Sequence, residues 1–383
     1  MDVVAGRAWA NERQPIKHLD PALLIVTATL IVIGMFAIYS ATSQTLRQDN
    51  LDPLSSVNKQ VVTTVLGAVL LLVLATFDYR FLKVYAGIIF GATIAGLLVL
   101  RIPGVAASET GTSNYIDIPG VSLLQISPSE FAKVGLIVIL AAMLSELRSP
   151  MPTVTDLVRV IAVAMATMLL VFINVEIGTT IVLAAITVGV LVVAGTHAKH
   201  LVALAAGAIV LIALAFQLNV VEDYQVDRLL TVFDSGSVSA DARYNLDQSV
   251  IAVGSGGMFG NGFLRGSQTN LDYVPEQHTD FIFTVIGEEF GFMGSAFVLG
   301  LFALLIWRAI RIAYMSKDAF GTYLATGVAS MFTIQVFVNI GMVIGIMPIT
   351  GIPLPFLSYG GTAMLVNFAA VGILLNVHMR RFK

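Results

Sequence analysis

Residues 281–307 read FIFTVIGEEFGFMGSAFVLGLFALLIW, 27 residues whose only charges are Glu288 and Glu289. A helix rising about 1.5 Å per residue crosses a hydrocarbon core of roughly 30 Å in about 20 residues. The stretch is therefore longer than one crossing needs. With Arg308 marking one boundary, the crossing ends near Glu288. Residues 281–287 are then expected to form a short helix folded over the mouth of a membrane bundle.

The rest of the chain repeats the pattern. Hydrophobic residues make up 57% of the 383 and charged residues 12%, a balance that belongs to lipid rather than to a soluble domain. Apolar runs between charges and breakers place spans near 21–41, 60–77, 81–100, 128–145, 155–173, 177–195, 201–218, 288–307, 320–346 and 358–377. The expected fold is all-α: one polytopic membrane domain over residues 1–383, a bundle of ten transmembrane helices. An even number of crossings puts both termini on one side. The segments of that side carry 14 Lys and Arg, those of the other side 6, and Lys133 falls inside a span. Positive charge collects in cytoplasmic loops, so both termini are expected in the cytoplasm. The long polar segments 101–127 and 219–287 then face outward. The second is a large extracytoplasmic loop between helices seven and eight, far longer than an ordinary connection. Its Tyr224, Leu229, Leu230, Phe233, Tyr244, Ile251, Phe259, Phe263, Tyr273 and Phe281 point to ordered, amphipathic segments lying on the bilayer face.

Several classes fall away. Cysteine is absent, which excludes disulfides and thiolate metal sites. No basic block marks a nucleic-acid surface. The polar stretch Arg7 to Lys17 ahead of the first span lacks the layout of a cleaved signal peptide.

Four segments carry chemistry. Residues 254–262, GSGGMFGNG, hold five glycines in nine positions, which suits either a phosphate-cradling turn or a flexible reversal. Residues 274–283, VPEQHTDFIF, bring Glu276, His278 and Asp280 to the edge of the apolar run. These are either solvated flanks or, given the surplus after Asp280, a carboxylate aimed at a cavity; Asp280 is also a candidate helix N-cap. Residues 127–133, SPSEFAK, have the S-x-x-E spacing of a capping box with Pro128 at the first helical position. Glu130 and Lys133 share a helix face inside a span, where charges pair or line a wet cavity. Residues 346–361, IMPITGIPLPFLSYGG, break an apolar stretch with three prolines and three glycines. Irregular backbone at that depth is buried in protein or lines a cavity, so the segment walls a site, unless it is a tight outer hairpin.

Together these segments resemble the SEDS family (shape, elongation, division and sporulation), whose members include RodA and FtsW. The resemblance runs over nearly the whole chain and rests on Gly254–Gly257, Pro275–Phe283, Gly287–Gly291 and Pro348–Gly361, in that order. It implies ten transmembrane helices and peptidoglycan glycosyltransferase activity on lipid II at the bacterial cytoplasmic (inner) membrane. The essential acid of the outer loop falls on Asp280 and the charged pair of the fourth span on Glu130 and Lys133. Met258 stands where the family often has Trp, Ser127 where it often has Gln, and Asn114–Tyr115 where an Arg-Trp pair is expected. Residues 264–275 look closer to the elongation branch, RodA, than to the division branch, FtsW; the short tails leave little room for a division-type extension. Both branches pair with a class B penicillin-binding protein transpeptidase, so such a partner is implied. A small-residue surface on spans eight and nine, Gly291, Gly294, Gly300, Gly327 and Gly341, is the expected contact.

The implied reaction joins a growing glycan, held by an α-linked diphosphate to undecaprenyl, to the 4-hydroxyl of the next lipid II. A base must take the hydroxyl proton, and Asp280 is the expected one. The leaving diphosphate needs positive charge from a divalent cation, magnesium or manganese, or from Lys133, Arg243 or Arg265. Glu276, His278, Glu289 and Ser358 complete the substrate-binding or site-shaping candidates. Two other readings stand beside this one. The charged pair and broken helices suit a lipid flippase, and a non-catalytic scaffold for a cell-wall synthase would tolerate change at Asp280.

Overall fold

A computed structural model of the chain describes residues 18–102, 106–107, 115–117, 125–147, 151–174, 176–217, 240–271 and 273–382. Its helices are α1 (Pro21–Gln48), α2 (Ser55–Thr76), α3 (Arg80–Val84), α4 (Ala86–Val99), α5 (Pro128–Ser145), α6 (Val154–Ile173) and α7 (Ile177–Val193). They continue with α8 (Ala198–Gln217), α9 (Ala240–Ser255), α10 (Ser267–Asn270), α11 (Ile282–Met315), α12 (Ala319–Val343) and α13 (Gly361–Met379). Seven of these are long and apolar enough to cross a membrane; α4, α7 and the apolar part of α8 are shorter. The protein is thus a multi-pass membrane protein, and the expected third span is divided at Tyr85 into α3 and α4. Tyr224, Leu229, Leu230 and Phe233 of the loop lie outside the described residues, as does Asn114.

The all-α expectation fails in one place. Residues 106–107, 115–117 and 125–126 form a small antiparallel sheet, β1-β2-β3, with Ile116 opposite both Ala106 and Ile126. The strands are too short for an alternating pattern to stand out in the sequence.

Burial sorts the bundle. In α5, α12 and α13, 67%, 78% and 89% of the apolar window is buried, against 28% in α2, α6 and α11. The first three form the centre and are less hydropathic than the outer three, since buried helix faces can hold paired polar groups that lipid-facing ones cannot. Helix starts follow local chemistry: Asp20 accepts from Leu23 N at 3.2 Å with Pro21 in the first turn, and Asp318 accepts from Gly321 N at 2.8 Å. The capping box expected at Ser127 and Glu130 is absent. The Ser127 side chain makes no cap bond and pairs with Ser129 Oγ at 2.7 Å, while the Glu130 carboxylate turns to Lys133. Pro128 does occupy the first turn.

Contacts define two ends. Arg308 binds Asp20, Tyr79 Oη donates to Asp318 Oδ2 at 2.8 Å and Arg380 reaches the carbonyls of Ala75 and Thr76, gathering the chain-terminal end. The opposite end carries the sheet, α9, α10 and the start of α11.

Helix α11 is broken where the sequence reading placed surplus residues, but at Gly291 (φ +64°) rather than before Glu288. A break leaves orphan carbonyls on one side and orphan N–H groups on the other. The glycine-rich turn 254–262 satisfies both sets. Asn261 N and Gly262 N donate to Glu288 O and Glu289 O, each at 3.0 Å, while Phe292 N and Met293 N donate to Gly257 O at 2.9 Å and Met258 O at 3.1 Å. A Cβ at Gly256 or Gly260 would collide with the backbone at Gly287 or Glu289. Gly256 and Gly260 thus let two backbones interlock at the break. Gly291, Gly327 and Gly341 likewise face inward, against Gly260, Ile137 and Met347, which leaves two of the expected contact surface: Gly294, met only by Phe290 of its own helix, and Gly300, with nothing within 4 Å.

Candidate active site

The segment from Val274 to Phe281 runs across the loop-bearing end of the bundle, with Val274, Gln277 and Phe281 buried and His278 and Asp280 half-buried. The N-cap position of α11 is taken by Phe281, with no side-chain cap bond, so Asp280 is not a helix cap. Its backbone oxygen accepts from Asn339 Nδ2 at 2.7 Å. Its carboxylate lies against Gly351, where a Cβ would stand 3.3 Å from Oδ2; Gly351 adopts φ +68°, a conformation and a closeness that glycine permits.

Gly351 belongs to the segment between α12 and α13, which enters the bundle rather than turning outside it. Ile352, Leu354, Phe356 and Leu357 are all buried to 2% or less. A Cβ at Gly34 on α1 would meet Phe356 O at 2.7 Å, so α1 is thinned to admit the segment. Polar groups tie it in: Asn339 Nδ2 donates to Ile352 O at 2.7 Å, Leu354 N donates to Ser358 Oγ at 2.8 Å, and Gln60 Nε2 donates to Ser358 O at 3.3 Å. Ser358 thus holds the segment's own fold. His278 meets the same segment: Tyr359 N donates to His278 O at 2.9 Å, and the two rings lie 5.5 Å apart.

Glu130 and Lys133 form a buried ion pair of 2.6 Å on α5, with side chains 12% and 1% exposed. Beside them stands a group the sequence reading missed. Glu176, preceding α7, accepts from Ser129 Oγ at 2.8 Å and Thr179 Oγ1 at 2.9 Å; burial raises its pKa and these bonds oppose the rise. Tyr115 on β2 joins the two clusters. Its phenol is pushed up to about 12, by burial first and then by the negative charge of Glu176, Glu130, Asp280 and Glu276. The phenol thus lies within electrostatic reach of four carboxylates, on a residue that is 45% exposed. Glu276 sits exposed in a left-handed turn (φ +53°) and accepts from Thr279 Oγ1 at 3.1 Å.

Other candidates stand apart. Glu289 belongs to the α11 break, accepting from Ser40 Oγ and from Leu264 N at 3.0 Å. Glu288 is fully buried and takes Gln268 N at 2.8 Å, Thr269 N at 2.9 Å and Thr269 Oγ1 at 2.7 Å. Arg243 pairs with Asp247 at 3.6 Å on the exposed side of α9, and Arg265 is exposed. Among the described residues no three His, Asp or Glu side chains group as the ligands of a metal ion would. Asn339, Gln60 and Glu176 are scattered in sequence with no motif around them, which is why pattern reading passed over them.

Comparisons with known proteins give the family. The family model FTSW_RODA_SPOVE, described as "Cell cycle protein", matches residues 21–383. Stage V sporulation protein E of Bacillus subtilis is 34% identical over 361 residues, covering 94% of this chain and 96% of that protein. Peptidoglycan glycosyltransferase MrdB of Escherichia coli K12 is 32% identical over 367 residues, covering 95% and 94%. Among solved structures, a chain of a peptidoglycan synthase complex coordinating polymerization and crosslinking superposes with TM-score 0.79 at 26% identity, covering 95% and 99%. RodA, the rod shape determining protein of Thermus thermophilus, does so with TM-score 0.69 at 27% identity, covering 95% and 98%. A match along almost the entire chain, in sequence and in fold, places this protein in the FtsW, RodA and SpoVE family.

Proposed function

We propose that the protein is a peptidoglycan glycosyltransferase that polymerises lipid II into glycan strands at the outer face of the bacterial cytoplasmic membrane. The observation that carries this reading is the place of Asp280: a half-buried carboxylate, backed by an inserted loop, at one end of a membrane bundle. Relatives named peptidoglycan glycosyltransferase support it over 95% of the chain. The bundle would cross ten times, with α3 and α4 completing the third crossing, the termini in the cytoplasm and the loop-bearing end outside; the excess of Lys and Arg on the terminal side supports that orientation.

In the reaction, the acceptor 4-hydroxyl oxygen attacks C1 of the glycan held by diphosphate. The C1–O bond to diphosphate breaks, C1 inverts from α to β, and Asp280 takes the hydroxyl proton. Undecaprenyl diphosphate leaves with its electron pair, so positive charge near it helps. Arg243 and Arg265, exposed at this end, are suited to that task, and Lys133 is held in place by Glu130. Lipid anchors on both substrates bring their heads together at one surface, which supplies proximity. Elongation is the proposed setting, on the RodA-like stretch 264–275; relatives named for sporulation, division and elongation are 32–34% identical. A class B penicillin-binding transpeptidase is the proposed partner, as the synthase complex resembled in fold suggests. The flippase reading needs a charged path to both ends, and at the terminal end Asp20, Asp78 and Asp318 are engaged by Arg308, Arg380 and Arg80.

The test supplies purified protein with lipid II and resolves the products by length. Asp280→Asn should insert and melt as the wild type does while polymerisation falls by about 10²–10⁴-fold, the usual contribution of a general base. Strands of normal yield from that variant would remove Asp280 from the role.

A further inference from the structure

We propose that Asn339 is a positioning residue for catalysis: its amide clamps the Asp280 segment to the inserted loop, and so sets where the Asp280 carboxylate stands. The inference rests on the glycosyltransferase reading above. Asn339 lies in the last turns of α12 and is fully buried. Its Nδ2 donates to Asp280 O and to Ile352 O, each at 2.7 Å. Asp280 and Ile352 both lie in non-helical backbone and are 72 residues apart in sequence, from 280 to 352. A primary amide is the neutral group that offers two N–H donors from one rigid atom. Two carbonyl oxygens on one side also fix which way the amide points.

The consequence reaches the carboxylate through geometry. Ile352 follows Gly351, and Gly351 is the residue against which the Asp280 carboxylate lies. One side chain therefore holds both walls of that contact: the backbone that carries the acid and the backbone that faces it. Without the amide, two buried carbonyls lose their donor, and the simplest relief is for the two segments to part and admit water. A base displaced by about 1 Å from its proton loses on the order of 10²-fold in rate, while substrate affinity resting on other contacts is retained.

Asn339→Leu removes both donors at nearly constant volume, and Asn339→Ser keeps one. Two measurements apply to each. The first is polymerisation of lipid II: kcat is expected to fall about 10²-fold in Asn339→Leu and less in Asn339→Ser, with KM within about twofold. The second uses the absence of cysteine from the chain. Ile352→Cys places a thiol at a position only 2% exposed, and its alkylation by a soluble maleimide should quicken about tenfold or more when Asn339→Leu is added. Wild-type kcat in both Asn339 variants, or a fall in kcat with unchanged alkylation, would overturn the clamp. Faster alkylation in a chain whose unaltered form makes no glycan would leave the clamp standing and sink the glycosyltransferase reading instead. Should Asn339→Leu not fold, Asn339→Ser carries both measurements.

Discussion

The two ends of the bundle solve the same electrostatic problem in opposite ways. At the terminal end, acids near the membrane boundary are met by arginine: Asp20 by Arg308, Asp78 by Arg380 and Asp318 by Arg80. Arg380 also reaches the final carbonyls of α2. At the loop-bearing end, Glu176, Glu288 and Glu289 are held by hydroxyl and backbone N–H donors. Ion pairs lock helix ends together; neutral donors hold a carboxyl group in place without a counter-charge. The first arrangement ties helix ends to one another; the second fixes the break in α11 and the start of α7 with no second charge brought in.

Substitutions can separate these roles. The largest effect on rate should come from Asp280→Asn, which is expected to abolish polymerisation and spare the fold; an equal loss of stability would erase the distinction between the ends. The largest effect on stability should come from the other end. Arg308→Leu strands the Asp20 carboxylate, whose side chain is 0% exposed, and removing one partner of a buried pair costs about 3–5 kcal/mol. Equilibrium unfolding in mixed micelles should show that loss, with turnover per folded molecule unchanged, and Asp20→Asn added to Arg308→Leu should recover much of it.

Glu130 and Lys133 test the boundary between the two modes, because theirs is a buried ion pair at the end where Glu176, Glu288 and Glu289 take neutral donors. Glu130→Ala or Lys133→Ala alone should destabilise more than the two together, since each single change leaves a buried charge without its partner. Additive losses of melting temperature in the double variant would contradict the pairing.

The smallest effect concerns Glu176. Its folded-state pKa is raised by burial, so between the unfolded value, about 4.3, and the higher folded value the native state holds a proton that the unfolded chain has released. Stability must then fall as pH rises through that window. Glu176→Gln should flatten the slope of melting temperature against pH above about 4.3 and leave the protein at least as stable at neutral pH. A slope identical to the wild type would mean that Ser129 and Thr179 offset the burial completely.

The membrane class, most helix positions and the identity of the acid segment could be read in the sequence, because hydropathy over about 20 residues reports the solvent directly. The spans expected at 128–145 and 155–173 match α5 and α6 within one residue. The break in residues 281–307 was visible as surplus length, and the Glu130–Lys133 pair as charge that lipid would not tolerate unpaired. What one-dimensional pattern could not supply was the use of each polar group once the chain had folded. The glycines of 254–262 read as either a phosphate-cradling turn or a flexible reversal, and their part in receiving the broken ends of α11 was out of sight, since only packing reveals which backbone approaches them. The capping box read at Ser127 lost its carboxylate to Lys133, an ion pair outcompeting a cap in low dielectric. Glu176, Gln60 and Asn339 carry no local signature, because their partners lie far away in sequence: Ser129, Ser358, Asp280 and Ile352. The sequence by itself determined that this chain lives in lipid and which segment carries the candidate acid; the tertiary structure alone decided what holds that segment in position, because a hydrogen bond is directional and depends on where two distant backbones meet.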